Sequence, residues 1–174
     1  MSGMEALFAL QDEDVLRGQL EYRRARLPEG DALVAVRAAR TATTAEVEGL
    51  QVQRLDQARR QHRLEGDVAA IEVRLGELDQ KLYGSAITSP KEATALQKEI
   101  EGLRRRQDDL EGEVLEIMEA LEPVESRLDE LAAAGLAGDA EIEGARAALA
   151  DAEALIDGEL AESATRREAA IVSL

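Results

Sequence analysis

Apolar residues recur through most of the chain at alternating steps of three and four, the spacing that places them along one side of a helix. One such series runs from Leu33 to Leu82, and a second runs from Ala93 to Ile156. We call these positions the seam. Because the repeat keeps its frame for so long, it predicts a left-handed coiled coil and not the face of a globular helix.

The clearest interruption of this pattern lies between the two series. Gly84 can end a helix in the left-handed conformation, and Ser89-Pro90-Lys91-Glu92 has the order of a capping box that begins the next helix. A connection this short requires the two helices to run antiparallel. The pattern therefore predicts an all-α fold, a long antiparallel coiled-coil helical hairpin.

A second interruption at Pro28 separates a shorter N-terminal helix, which we expect to pack at the base of the hairpin. Asp31 is the predicted cap of the helix that follows. Pro123, Gly135 and Gly138 predict kinks in the return helix. The expected elements form one elongated domain over residues 1–174: a helix over about 4–27, a long helix over about 31–82, a tip loop at 83–89 and a return helix over about 90–170, kinked near 123 and at 135–138.

The register of the hairpin follows if the tip is tight. The predicted seam pairs include Leu75 with Leu96, Gly135 with Val36, and Gly138 with Leu33. A slip of one heptad stays open, because a regular repeat specifies register weakly away from the turn. Three consecutive seam positions are polar: Arg54, Gln57 and Gln61. They predict either a loosened zone where a second hairpin or a partner helix docks, or an Arg54 that extends into solvent beside glutamines that bridge locally.

Composition supports long helices and excludes several classes of function. The chain is 45% hydrophobic but only 2% aromatic, too few aromatic residues for a usual compact core. It has no cysteine and one histidine, so a transition-metal site in this chain would need carboxylates alone. His62 follows a seam residue and should point outward, with no nucleophile arranged beside it. We therefore expect no enzyme activity and no cofactor in this chain.

The net charge of −16 argues against general affinity for nucleic acid, and no stretch is apolar enough for a membrane span. The first residues do not resemble a secretory signal, so we expect a cytoplasmic protein without a membrane partner. The oligomeric state is left open.

Two surfaces could bind partners. The tip carries apolar groups with no core beneath them, and its candidate docking residues are Tyr83, Ile87, Thr88, Ser89, Pro90 and Lys91. Local packing of Tyr83 and Ile87 over the last seam layer is the alternative. A basic patch that could hold phosphates consists of Arg59, Arg60, Arg63, Lys98, Arg104, Arg105 and Arg106. Pairing of these cations with neighbouring acids is the alternative there.

The sequence also resembles a known family, the bacterial C4-type zinc-ribbon proteins with a coiled-coil hairpin body. The resemblance covers most of residues 4–131 and is most specific at Thr88-Ser89-Pro90-Lys91-Glu92. It implies a C-terminal ribbon that holds zinc through two Cys-x-x-Cys pairs, so zinc is expected only if such a ribbon follows residue 174. The family pattern also leads one to expect leucines where this chain has Glu13 and Arg17.

By that resemblance, the partner would be a sigma factor or another transcription component, since some members act as adaptors for a flagellar sigma factor and one binds a flagellin messenger RNA. The leading hypothesis is a noncatalytic interaction scaffold, an adaptor that presents its tip and charged flanks to a protein partner in transcription or motility regulation. The alternatives are an RNA-binding regulator that uses the basic patch, and a purely structural spacer.

Overall fold

The computed structural model describes residues 3–84 and 89–173, and in these ranges it contains three α-helices. They are α1 (Gly3–Arg24), α2 (Pro28–Tyr83) and α3 (Pro90–Val172). The prediction of an all-α coiled-coil hairpin with a shorter N-terminal helix is confirmed.

The boundary between α1 and α2 differs from the prediction. Helix α1 ends at Arg24 and α2 already begins at Pro28. Proline is favoured at the first helical position because it has no N–H to leave unbonded there, so Pro28 starts a helix without interrupting one. The carbonyl of Leu27 accepts the N–H of Gly30 at 3.0 Å. Asp31 lies inside the first turn with an exposed side chain, so its prediction as the cap is wrong.

The chain divides into two units. Unit 1 comprises residues 1–44 and 133–174, and unit 2 comprises residues 45–132. Helix α3 is helical through Pro123, Gly135 and Gly138. The kinks expected there, and the description of the chain as one domain, stay predictions.

In unit 2, α2 and α3 run antiparallel and meet along the predicted seam. Every seam position of this unit is buried or half-buried except Arg54, whose side chain is exposed. Most positions are only half-buried, because two helices cover one stripe of each other and no more. The buried seam side chains are Leu78, Ile100, Leu110, Ile117, Val124 and Leu131.

In unit 1, α1 and the first part of α2 both pack on the C-terminal part of α3. Arg24 of α1 bonds Asp157 of α3 at 2.6 Å, and Arg40 of α2 bonds Asp139 of α3 at 2.7 Å. The buried residues come from all three helices: Ala6, Leu20, Leu33, Ile156, Ser163 and Ala170. The N-terminal helix therefore lies beside α3, as the sequence predicted.

The seam glycines of unit 1 correct the predicted register. A Cβ built on Gly138 would lie 3.2 Å from Arg40 Cδ, and one built on Gly135 would lie 3.5 Å from the Arg40 guanidinium. Both glycines therefore lie against Arg40, and their predicted pairing with Val36 and Leu33 is wrong by one heptad. The missing side chains leave room for the stem of an arginine that occupies a seam position.

Candidate functional site

The tip residues that the structure describes are mostly exposed. Tyr83 is the last residue of α2, and its side chain is 84% exposed. Pro90 is the first residue of α3, as predicted, and Lys91 beside it is exposed. Ile87 and Thr88 lie outside the described residues. An exposed Tyr83 suits a docking contact better than packing over the last seam layer.

The end of α2 and the start of α3 at the tip differ from the prediction in their hydrogen bonds and backbone conformation. The carbonyl of Ser89 accepts the N–H groups of Glu92 and Ala93, both at 3.1 Å. The described contacts include no side-chain bond between Ser89 and Glu92, so the order of a capping box is present without its bonds. No described glycine has a positive φ, so the left-handed conformation predicted for Gly84 is wrong. A Cβ there would lie 2.7 Å from the Gln80 carbonyl oxygen, and this close approach is what requires glycine.

The cations of the predicted basic patch are partly engaged by acids and do not all share one side of the hairpin. Arg60 bonds Glu113 across the seam at 3.0 Å, and Arg104 lies 4.0 Å from Asp79. Arg60 precedes a seam position and Arg104 follows one, so the two lie along opposite edges of the seam. Arg59 pairs with Asp56 at 3.8 Å.

The other members of the patch form no ion pair with the described residues. Arg105 donates to the carbonyl oxygen of Glu101 at 3.3 Å. Arg63, Lys98 and Arg106 make no ion pair within the part of the chain that the structure describes. The patch is therefore a divided surface in which four of seven cations form no ion pair with the described residues, and it is weaker as a phosphate site than the sequence suggested.

One edge of unit 2 carries a ladder of ion pairs between α2 and α3, and we call it the paired edge. Its three pairs recur every two heptads on each helix: Arg74–Glu99 at 2.9 Å, Arg60–Glu113 at 3.0 Å and Glu46–Arg127 at 2.8 Å. The hydrogen bonds from Arg127 hold the pKa of Glu46 below its ordinary value.

The ladder by itself leaves the register of unit 2 undecided. The residue numbers in each of its pairs sum to 173, close to the 171 of Leu75 and Leu96 in the register predicted from a tight tip. The contact between Gln107 and Glu72 on the other edge sums to 179 and favours a register one heptad away.

The other edge of unit 2 holds the pair of Arg104 and Asp79 and, further from the tip, three carboxylates that meet no cation among the described residues. We call this second stretch the acidic edge, defined by Glu65, Glu72 and Glu111. The amide of Gln107 donates to Glu111 at 2.9 Å and to Glu72 at 3.5 Å. Gln61 donates to Glu65 at 2.7 Å. In the described ranges none of the three glutamates forms an ion pair.

Two of the three polar seam residues predicted from sequence, Arg54 and Gln61, have side-chain positions that explain them. Gln61 and Gln107 both reach out of the seam to carboxylates of the acidic edge, and Arg54 extends into solvent. Of the two interpretations drawn from sequence, local bridging by glutamine fits Gln61 and an outward arginine fits Arg54. In the predicted register Gln107 would face Leu64, about 12 Å along the helix from Glu72, so the Gln107–Glu72 contact requires the shifted register.

A groove lies along the acidic edge between α2 and α3. It has a volume of about 350 Å³ and is lined by Glu65, Val68, Ala69, Glu72, Glu111, Val114 and Leu115. Leu115 is 59% exposed, and Met118, one turn further along α3, is 49% exposed. The groove therefore combines an apolar floor with a rim of carboxylates.

Unit 1 contains a polar layer where the family pattern leads one to expect leucine. Glu13 accepts a hydrogen bond from the hydroxyl of the fully buried Ser163 at 2.6 Å and another from Arg166 at 2.7 Å. These two bonds lower the pKa of Glu13, that from Arg166 most strongly. Arg17 pairs with Glu21 at 3.5 Å. Because the Glu13 carboxylate has hydrogen-bond partners on α3, a polar residue can occupy this place without leaving an unpaired buried group.

Other chemistry is sparse in the described ranges. His62 is exposed, as predicted. In residues 3–84 and 89–173, no cluster of three or more histidine or acidic side chains is arranged to hold a metal ion. None of the helices in the same ranges combines the length and the apolar character needed to cross a membrane.

The helices and their seam define the class of the protein, an antiparallel coiled-coil hairpin. The chain belongs to the family described as the CT398-like coiled coil hairpin domain, whose model matches residues 10–174. This supports the coiled-coil part of the resemblance to C4-type zinc-ribbon proteins. The zinc-ribbon part finds no support in the comparisons.

Several mycobacterial proteins are similar to this chain. Two uncharacterized proteins of Mycobacterium tuberculosis, from strains CDC 1551 and H37Rv, are each 31% identical over 157 residues, which cover 90% of this chain and 61% of theirs. The chain thus spans less than two thirds of the length of these relatives. A solved structure from Mycobacterium smegmatis superposes with a TM-score of 0.85 at 24% identity, covering 99% of this chain and 71% of that one, which shows the fold alone.

Proposed function

We propose that this chain is a noncatalytic interaction scaffold, an adaptor that presents its hairpin tip and one charged edge to a protein partner. The observation that carries the proposal is the exposure of Tyr83, 84% of whose side chain is open to solvent at the end of α2. An exposed aromatic residue next to Pro90 and Lys91 offers apolar contact area and a charge on the same small surface. Aromatic residues are enriched where proteins bind each other.

The absence of catalysis is part of the proposal. His62 has no hydrogen bond in the described part of the chain, and no nucleophile or carboxylate orients it there. General acid–base chemistry needs such partners within hydrogen-bond reach. The identity of the partner as a sigma factor or another transcription component rests on the family resemblance alone.

The tip is tested by affinity capture with the full chain from lysate of the native host. We expect specific proteins to be recovered by the wild type and lost in the double variant Tyr83→Ser/Lys91→Glu. The matched control is Tyr22→Ser, which removes the other tyrosine, 61% exposed in unit 1. Equal recovery by the tip variant would remove the tip from the proposal, and no specific recovery by any form would overturn the scaffold.

A second candidate function is RNA binding through the basic patch. It is favoured by Arg63, Lys98 and Arg106, which make no ion pair among the described residues, and disfavoured by the divided arrangement of Arg60 and Arg104. Titration of labelled RNA at 50 and 200 mM salt tests it, because phosphate contacts weaken steeply with salt. Binding that is absent, or unchanged by salt, eliminates this candidate. A chain that binds neither protein nor RNA would act as a structural spacer.

A further inference from the structure

The paired edge and the acidic edge of unit 2 differ in whether their carboxylates meet cations. Along the paired edge, Arg74, Arg60 and Arg127 each meet a glutamate of the other helix within 3.0 Å. Along the acidic edge, the described contacts of Glu65, Glu72 and Glu111 include glutamine amides but no cation. Nearer the tip, the same side of the seam pairs Arg104 with Asp79, so ion pairs between the helices can form on this side but are missing at the acidic edge.

The carboxylates of the acidic edge are moreover close to one another. Glu72 of α2 and Glu111 of α3 share the single amide of Gln107. An amide shared in this way offers each carboxylate a hydrogen bond but no positive charge, so the repulsion between the two remains. A cation placed between the two carboxylates would relieve that repulsion and would form charge-assisted hydrogen bonds to both.

The floor of the same groove is apolar and open. Val68, Ala69 and Val114 line it, and Leu115 and Met118 project beside it with about half of each side chain exposed. Residues three apart on a helix share a face, so Leu115 and Met118 form one apolar strip along α3. A third helix can pack its own apolar side chains between two existing helices, as ridges fit into grooves.

We propose that the acidic edge is a docking groove for an amphipathic helix of a partner protein that carries lysine or arginine on both sides of its apolar face. The apolar face would cover Val114, Leu115 and Met118, and the flanking cations would neutralise the carboxylates of the rim. The inference rests on the scaffold function proposed above and specifies which kind of partner one edge accepts. The charge of the rim repels nucleic acid from this groove.

The direct test uses two synthetic helical peptides that share one leucine face. One carries lysine beside that face and the other carries glutamate, and both bear a fluorescent label. Anisotropy titrations with the full chain should show binding of the lysine peptide at least tenfold tighter than the glutamate peptide, with affinity that falls as salt is raised.

Matched variants locate the binding. The groove variant changes three rim carboxylates: Glu65→Gln, Glu72→Gln and Glu111→Gln. The control variant removes the same charge from exposed residues of α3 that do not line the groove: Asp109→Asn, Glu116→Gln and Glu119→Gln. We expect the groove variant to lose affinity for the lysine peptide by about tenfold and the control by less than about twofold.

A second matched pair tests the apolar floor. Leu115→Ser should weaken the lysine peptide severalfold, whereas Val73→Ser, at a residue 67% exposed outside the groove, should leave binding unchanged. Circular dichroism of each variant checks that the helices are retained, and the control variants give the baseline for any loss that is due to folding.

The outcomes separate the alternatives. Equal losses in the groove and control charge variants would show unspecific attraction of a basic peptide to an acidic protein and would overturn the proposal. Self-association of the wild type that Leu115→Ser abolishes would assign the groove to a second copy of this chain, which also overturns it. If the lysine peptide fails to bind but the tip variant still loses its captured proteins, the groove is wrong and the scaffold function stands.

Discussion

Leu110 and Leu115 lie on the same helix with opposite surroundings, since Leu110 is 2% exposed and Leu115 is 59% exposed. Replacement by alanine removes three carbons at either site and changes helix propensity by the same amount. At about 0.8 kcal/mol per buried carbon, Leu110→Ala should cost about 2.4 kcal/mol in transfer free energy, and about 3 kcal/mol with the cavity that it leaves. Leu115→Ala removes a side chain that is mostly in water and should cost about 1 kcal/mol or less.

Urea unfolding of the full chain, followed by circular dichroism at 222 nm, measures this difference. We expect the midpoint of Leu110→Ala to fall by about 1 M or more and that of Leu115→Ala by a few tenths of that, with similar slopes. The circular dichroism spectra before unfolding should match that of the wild type. Equal costs at the two sites would refute the assignment of Leu110 to the seam and of Leu115 to the open groove.

Three further predictions concern charge and glycine. The bonds that lower the pKa of Glu13 stabilise the folded chain above the ordinary value of 4.5, and this stability is lost as the pH falls through the lower native value. The urea midpoint should therefore decline below about pH 4.5, and it should decline less in Glu13→Gln. Arg60→Glu should lower the free energy of unfolding by about 0.5 kcal/mol, because the new glutamate faces Glu113. Adding Glu113→Arg restores an opposite-charge pair and should restore the urea midpoint; failure to restore it contradicts the ladder. Gly102→Ala should increase the free energy of unfolding by about 0.5–1 kcal/mol, because a Cβ there meets nothing within 4 Å. Gly84→Ala should decrease it, because a Cβ there would collide with the Gln80 carbonyl oxygen. The reverse order would contradict the close approach at the tip.

The seam could be predicted almost residue by residue, because the three-and-four spacing is a property of the local sequence. A helix presents such positions on one stripe whatever its partner is. Arg54 is the exception in unit 2, since a long charged side chain at a seam position can leave the interface at little cost. Arg40 occupies a seam position in unit 1 and stays half-buried, because the two glycines opposite it make room.

The two predicted docking surfaces differ in how well the sequence alone could locate them. The exposure of Tyr83 and Lys91 followed from their position at the end of a helix, which needs no tertiary information. The basic patch was gathered from residues near one another in sequence, but Arg60 and Arg104 lie on opposite edges of the seam. Their grouping required knowing which position relative to the seam each residue takes on its own helix.

The amino-acid sequence by itself determined that this chain forms helices, which face of each helix is covered and where the hairpin reverses, because all three depend on local periodicity and local breakers. Only the tertiary structure decided the register, since equivalent apolar layers repeat every heptad and cannot distinguish one alignment from the next. That register brought Glu72 of α2 and Glu111 of α3 to the single amide of Gln107.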